Sequence, residues 1–178
     1  MAQTLHPYFL GGSLGWHDFL GSTARMFKND PSYRIPVKAD PNIVYATIEA
    51  DKRERGFYKS TDKGESFEKL NSYVSGGTGP HYYQEIEASQ SDEHLVYQMD
   101  VFLHRSRNGG EDFDIVGTGR EKHSDNHAMW IDPDNGKHYL VGTDAGLYET
   151  FDEGKTYRHF SNMTISQFYK LALDTAKP

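Results

Sequence analysis

Apolar and polar positions alternate along this chain in short runs, a period of two that predicts β-strands rather than helices. Residues 35–39, 43–49, 56–60 and 67–70 read as four successive strands, with Asp40-Pro41-Asn42 as the first turn. A second set begins at 83–88, turns at 90–93, continues through 95–99 and adds a strand at 101–103. A third begins at 128–131, turns at Asp132-Pro133-Asp134-Asn135-Gly136 and continues through 139–142 and 146–148. The run 168–174 reads as the first strand of a further set, whereas 1–33 holds short runs broken by Gly11-Gly12 and reads as strands or an irregular arm.

One polar octapeptide recurs inside these sets. Ser60-Thr61-Asp62-Lys63-Gly64-Glu65-Ser66-Phe67 returns loosely as Ser106-Arg107-Asn108-Gly109-Gly110-Glu111-Asp112-Phe113 and more faithfully as Thr150-Phe151-Asp152-Glu153-Gly154-Lys155-Thr156-Tyr157. Its third position steps from 62 to 108 to 152, intervals of 46 and 44 residues, and a repeat of that length is one four-stranded unit of a solenoid or propeller. The pattern predicts a tight hairpin. Short polar side chains at the first and third positions bond nearby backbone N–H groups, the glycine takes positive φ, and the closing aromatic folds under the turn as an apolar plug. Asn108 and Asp112 depart from the pattern, which predicts a looser middle turn.

These octapeptides resemble the Asp-box, the bacterial neuraminidase repeat S-x-D-x-G-x-[ST]-[WF]. Further runs carry a wider likeness: Asp125 through Pro133, Gly142 through Leu147, and Gln167-Phe168-Tyr169 are similar to large bacterial Asp-box proteins of the glycosyl hydrolase and sortilin type. The likeness covers about residues 34–178. It implies an all-β fold, a β-propeller of four-stranded antiparallel blades at 34–72, 83–117 and 127–161, with 168–174 as the inner strand of a fourth and 1–33 as an arm completing a blade. In such propellers the Asp-box joins the third and fourth strands away from the active site. Ser60, Asp62, Gly64, Ser106, Asn108, Gly110, Thr150, Asp152 and Gly154 are therefore structural on this reading. About three blades and one strand leave open edges. Either residues 5–30 close a small ring, or two copies pair their open ends as a homodimer, the reading preferred here.

Composition narrows the partners. The net charge is −7, from 26 acidic and 19 basic residues, which argues against nucleic acid and against an anionic membrane surface. There is no membrane-length apolar run, so membrane insertion is not expected. The absence of cysteine excludes disulfides and thiol chemistry but leaves the compartment open. The opening Met1-Ala2-Gln3-Thr4-Leu5-His6 lacks the marks of a signal peptide. The resemblance nevertheless implies an extracytoplasmic setting.

Ligands meet a propeller where the loops leading into its inner strands converge. Here those loops hold His81, Tyr82 and Tyr83, then His123 through His127, then Gln167 and Tyr169. His123, Asp125 and His127 alternate, so an extended segment would turn all three to one side as catalytic groups, a base beside its orienting carboxylate. Asp125 and Asn126 carry oxygens suited to calcium, the one cofactor expected; no organic cofactor is. His81, Tyr82, Tyr83, Asn126, Gln167 and Tyr169 are candidates for substrate contact. The plainer alternative has His123 and His127 bonding neighbouring backbones, and the aromatics packing inner strands. Glu85 and Glu87 alternate as a carboxylate pair or a polar channel lining. The expected function is hydrolysis of a glycoside, or of a lactone or ester with calcium support. The alternative is a non-catalytic module binding a glycan or a protein.

Overall fold

The computed structural model describes residues 40, 42–48, 53–73, 85–117 and 120–163. The arm at 1–33, the strand at 35–39 and the strand at 168–174 lie outside the described residues. The described elements are all strands. β1 (Val44–Ile48), β2 (Gly56–Ser60) and β3 (Glu68–Asn71) form one antiparallel sheet in that order. β4 (Glu85–Ala88), β5 (Val96–Met99), β6 (Leu103–Ser106) and β7 (Asp114–Val116) form a second, and β8 (Asn126–Ile131), β9 (Tyr139–Thr143), β10 (Gly146–Thr150) and β11 (Arg158–His159) a third. Each sheet is a meander of consecutive strands, as the period-two runs predict. The 101–103 run begins later than expected, because Val101 and Phe102 form a turn in which the Asp100 amide donates to the Phe102 carbonyl at 3.0 Å.

The octapeptides form the same turn three times. Ser60, Ser106 and Thr150 each accept through the side-chain oxygen from the amide of Gly64, Gly110 and Gly154, at 2.8, 2.8 and 2.9 Å. The same hydroxyls donate to Asp62, Asn108 and Asp152 at 2.7, 2.8 and 2.8 Å. The third-position oxygen then accepts the amide of the seventh residue, at 2.9 Å from Ser66, 3.2 Å from Asp112 and 2.9 Å from Thr156. Ser66 and Thr156 add a hydroxyl bond to the carboxylate, 2.6 and 2.7 Å long, which Asp112 has no hydroxyl to make. The middle turn is thus the looser one, as Asn108 and Asp112 foretell. Lys63, Gly109 and Glu153 all take φ near +60 to +70° (64, 70 and 58°), and each donates its amide to an earlier turn of its own repeat, to Asn42 just before β1, His94 between β4 and β5, and Lys137 between β8 and β9, at 2.9, 2.9 and 3.0 Å.

The sheets stack side by side, with β4 lying between β1 and β8. Ile43, Tyr45 and Phe57 of the first sheet pack with Ile86 and Val96 of the second. Leu95, Tyr97, Met99, Leu103 and Val116 of the second pack with Ile131, Tyr139 and Val141 of the third. The closing aromatics plug these seams: Phe113 meets Phe57 edge-on at 4.9 Å, and the Tyr157 hydroxyl bonds that of Tyr139 at 2.6 Å. Polar staples cross the same seams. Buried Gln98 donates to Thr47, and Arg105 reaches the Glu153 carbonyl at 2.9 Å while holding Asp114 of its own sheet at 2.5 Å.

Candidate functional site

The segment predicted to present His123, Asp125 and His127 on one side does not run extended from the start. Asp125 takes φ 59°, a left-handed turn, and the strand begins only at Asn126. The alternation therefore breaks. His123 is exposed and its Nδ1 lies 2.9 Å from the neighbouring Ser124 carbonyl, which is the backbone-bonding role. Asp125 accepts from the Ser124 hydroxyl at 2.6 Å, and its amide donates to the Val101 carbonyl at 2.8 Å.

Asn126 has a different task from the substrate or calcium contact expected of it. It is 1 % exposed. Its side-chain amide donates to the Asp100 and Val101 carbonyls at 2.8 and 3.1 Å, and its oxygen accepts from the ammonium of Lys122. Burial lowers the Lys122 pKa to about 8 and the Asp125 carboxylate opposes that fall, so at neutral pH the amine is a cation. A cation already occupies the oxygen that calcium would need. Among the described residues no three His, Cys, Asp or Glu side chains are grouped to hold a metal ion, so the residues present do not fit a calcium ion at Asp125 and Asn126.

His127 finds a partner that its sequence neighbourhood does not contain. Its Nε2 lies 2.5 Å from Oδ1 of Asp144, in the turn between β9 and β10. Both side chains are exposed, at 37 and 57 %. The Asp144 amide donates to the Asp125 carbonyl at 3.2 Å, tying that turn to the loop before β8. A carboxylate accepting from Nε2–H holds the imidazole in one orientation, as the partner of a base does. Asp144 was legible only as part of the Gly142–Leu147 run; Asn126 pairing with Thr143 across β8 and β9 is what sets it beside His127.

The opposite end of the same sheet carries a second constellation. His138 lies between Asp132 and Glu149, at 3.0 and 3.1 Å, and Phe151 stacks on its ring at 4.3 Å. The Asp132 carboxylate raises the His138 pKa, burial working against it and Glu149 adding to it. Trp130 meets the ring edge-on, and both Trp130 and Phe151 are largely exposed. Asp132 also accepts the Asp134 amide at 2.9 Å, the hairpin-turn bond expected for that pentapeptide. β4 holds Glu85 and Glu87 two positions apart. His81, Tyr82, Tyr83, Gln167 and Tyr169 lie outside the described residues.

Two solved structures share this arrangement of sheets. The GH74 enzyme of Niastella koreensis superposes with a TM-score of 0.56 at 16% identity, over 70% of this chain and 21% of that one. The GH74 xyloglucanase from Xanthomonas campestris does so with a TM-score of 0.51 at 16% identity, over 71% of this chain and 22% of that one. The sheets are β-propeller blades. The chain spans about a fifth of the length of these neighbours. No family model and no curated protein matches it. In propeller terms β4 and β8 are the first strands of their blades, and His127 with Asp144 sits where β8 begins, the end that the loop 120–125 enters.

Proposed function

We propose that the chain is part of an Asp-box β-propeller hydrolase, with His127 as general base and Asp144 as the carboxylate that orients it. The observation that carries this reading is the 2.5 Å contact between an exposed imidazole and an exposed carboxylate at the start of a first strand. In the reaction a water oxygen would bond to a lactone or ester carbonyl carbon as its proton passes to the His127 imidazole; the tetrahedral intermediate then breaks its bond to the departing alkoxide oxygen, which takes that proton back. At a glycosidic carbon the leaving oxygen departs from the face opposite the water, so a second carboxylic acid beyond this pair would have to protonate it. Asp-box character is supported by the three matching turns. Assay against lactone, ester and glycoside panels tests the proposal: His127→Ala and Asp144→Asn should each lower turnover about 10²- to 10⁴-fold with the melting temperature unchanged. Turnover untouched by both substitutions sinks it.

A second reading, a binding module, is favoured by a separate observation. Trp130 and Phe151 present 47 and 60 % of their surfaces around a histidine already fixed on both ring nitrogens. Saturable glycan binding without turnover, lost in Trp130→Ala and kept in His127→Ala, would decide for it.

A further inference from the structure

Lys122 is 3 % exposed although it belongs to a loop whose neighbours Glu121 and His123 face solvent. Its stem passes Gly117, where a Cβ would stand 3.2 Å from both Lys122 Cγ and Cε, and the ring of Tyr157 bounds the same space. Burying an ammonium is costly unless its protons are bonded. Here Nζ donates to the His123 carbonyl at 3.0 Å and to Oδ1 of Asn126. Asn126 carries the constraint onward through three bonds to the 100–101 turn of the preceding blade, two from its side chain and one from its amide to the Asp100 carbonyl at 3.1 Å. Asp125 is fixed to the same turn by its amide, and its carbonyl receives the Asp144 amide. The clamp therefore reaches both partners of the exposed pair: His127 follows Asn126 directly, and Asp144 hangs from Asp125.

We propose that Lys122 is a positioning residue for the His127–Asp144 pair, its buried ammonium locking the loop from 122 to 127 in the one path that sets imidazole against carboxylate. This rests on the reading of that pair as the working site. A neutral, apolar side chain of similar length would leave Asn126 Oδ1 buried without its donor and release the path.

The test uses the whole chain and reads the histidine itself. Nitrogen-detected NMR of the His127 ring, together with amide exchange at Asp125, Asn126 and Asp144, is compared between the wild type and Lys122→Met. The expected result is loss of the single Nε2–H tautomer and at least about tenfold faster exchange at those three amides, with protection in β5 and β6 retained. An unchanged tautomer and unchanged protection overturn the proposal. Should Lys122→Met fail to fold, Lys122→Leu, which removes the ammonium with less bulk and leaves the bonds of Asn126 to the 100–101 turn in place, carries the same two outcomes. Hydrolysis is not read here. An intact clamp on a chain inert toward esters, lactones and glycosides would overturn the enzyme reading and leave the clamp standing.

Discussion

Gly110 lies against the ring of Phe57 on the neighbouring blade: a Cβ built on it would stand 2.7 Å from Phe57 Cδ1 and nearer still to Cε1. Gly154 repeats the relationship one blade on, where a Cβ would meet Val116 Cγ1 and the Tyr157 hydroxyl at 2.5 Å. The fifth position of these two turns is thus constrained twice, by φ of 96 and 83° and by the seam it seals. Gly110→Ala and Gly154→Ala should each cost about 2–4 kcal/mol in urea unfolding, the sum of a left-handed penalty and overpacking. Gly142→Ala, whose Cβ would sit 3.8 Å from the Ala128 carbonyl, should be tolerated.

The weaker middle turn is repairable. Asn108→Asp combined with Asp112→Thr supplies the carboxylate and the hydroxyl that the outer turns use. It should raise stability by about 1 kcal/mol, the net worth of one hydrogen bond, read as a higher urea midpoint at constant slope.

Acid should act through the two faithful turns. The Ser60 hydroxyl, the Ser66 hydroxyl and the Ser66 amide hold the Asp62 pKa down to about 2, and the Thr156 amide and hydroxyl with the Thr150 hydroxyl do the same for Asp152. A depressed folded pKa contributes stability that is full above the unfolded value near 4 and is lost as pH falls through 2. The melting temperature should therefore drop between about pH 4 and pH 2, and less steeply in an Asp62→Asn, Asp152→Asn chain. Equal acid sensitivity in both proteins would contradict the assignment.

His138 carries the opposite sign. Its folded pKa is raised chiefly by Asp132, and that of Asp132 is lowered chiefly by His138. The pair contributes fully between the unfolded values, from about pH 4 to about 6.5. The contribution fades in alkali as His138 deprotonates above its unfolded value, and in acid as Asp132 takes its proton below its own. The gap in melting temperature between wild type and His138→Gln should be widest near pH 5 to 6 and close by about pH 9. A gap independent of pH would overturn this.

The two arginines that approach Glu153 should differ. Arg105 is 8 % exposed and holds a carbonyl and a carboxylate, whereas Arg107 is 54 % exposed and holds Glu153 alone. Arg105→Ala should cost about 2 kcal/mol and Arg107→Ala less than about 1 kcal/mol, both read by urea unfolding.

What the sequence made legible was local. Ser60, Asp62 and Gly64 close their turn with bonds spanning four residues, so the octapeptide carries its own geometry, and the period-two runs place the strands to within a few residues. Even the defect at Asn108 and Asp112 could be read, because a missing hydroxyl is a missing bond. The site was legible only in part. Alternation at His123, Asp125 and His127 assumes extended backbone, and a single left-handed residue at Asp125 ends it. Asp144 lies 17 residues from His127 and arrives by strand pairing. Lys122 resembles any surface lysine until the Asn126 oxygen is seen to face it.

At the fourth position of each turn the side chain differs completely, Lys63, Gly109 and Glu153, while the backbone amide makes the equivalent bond back to an earlier turn, at Asn42, His94 and Lys137. Shape at that position is written in the main chain, and the side chain is left to other contacts. Glu153 turns it toward the neighbouring blade, accepting from Arg107 at 2.7 Å. A substitution at this position therefore keeps the wiring of its turn and alters only what the side chain meets next door.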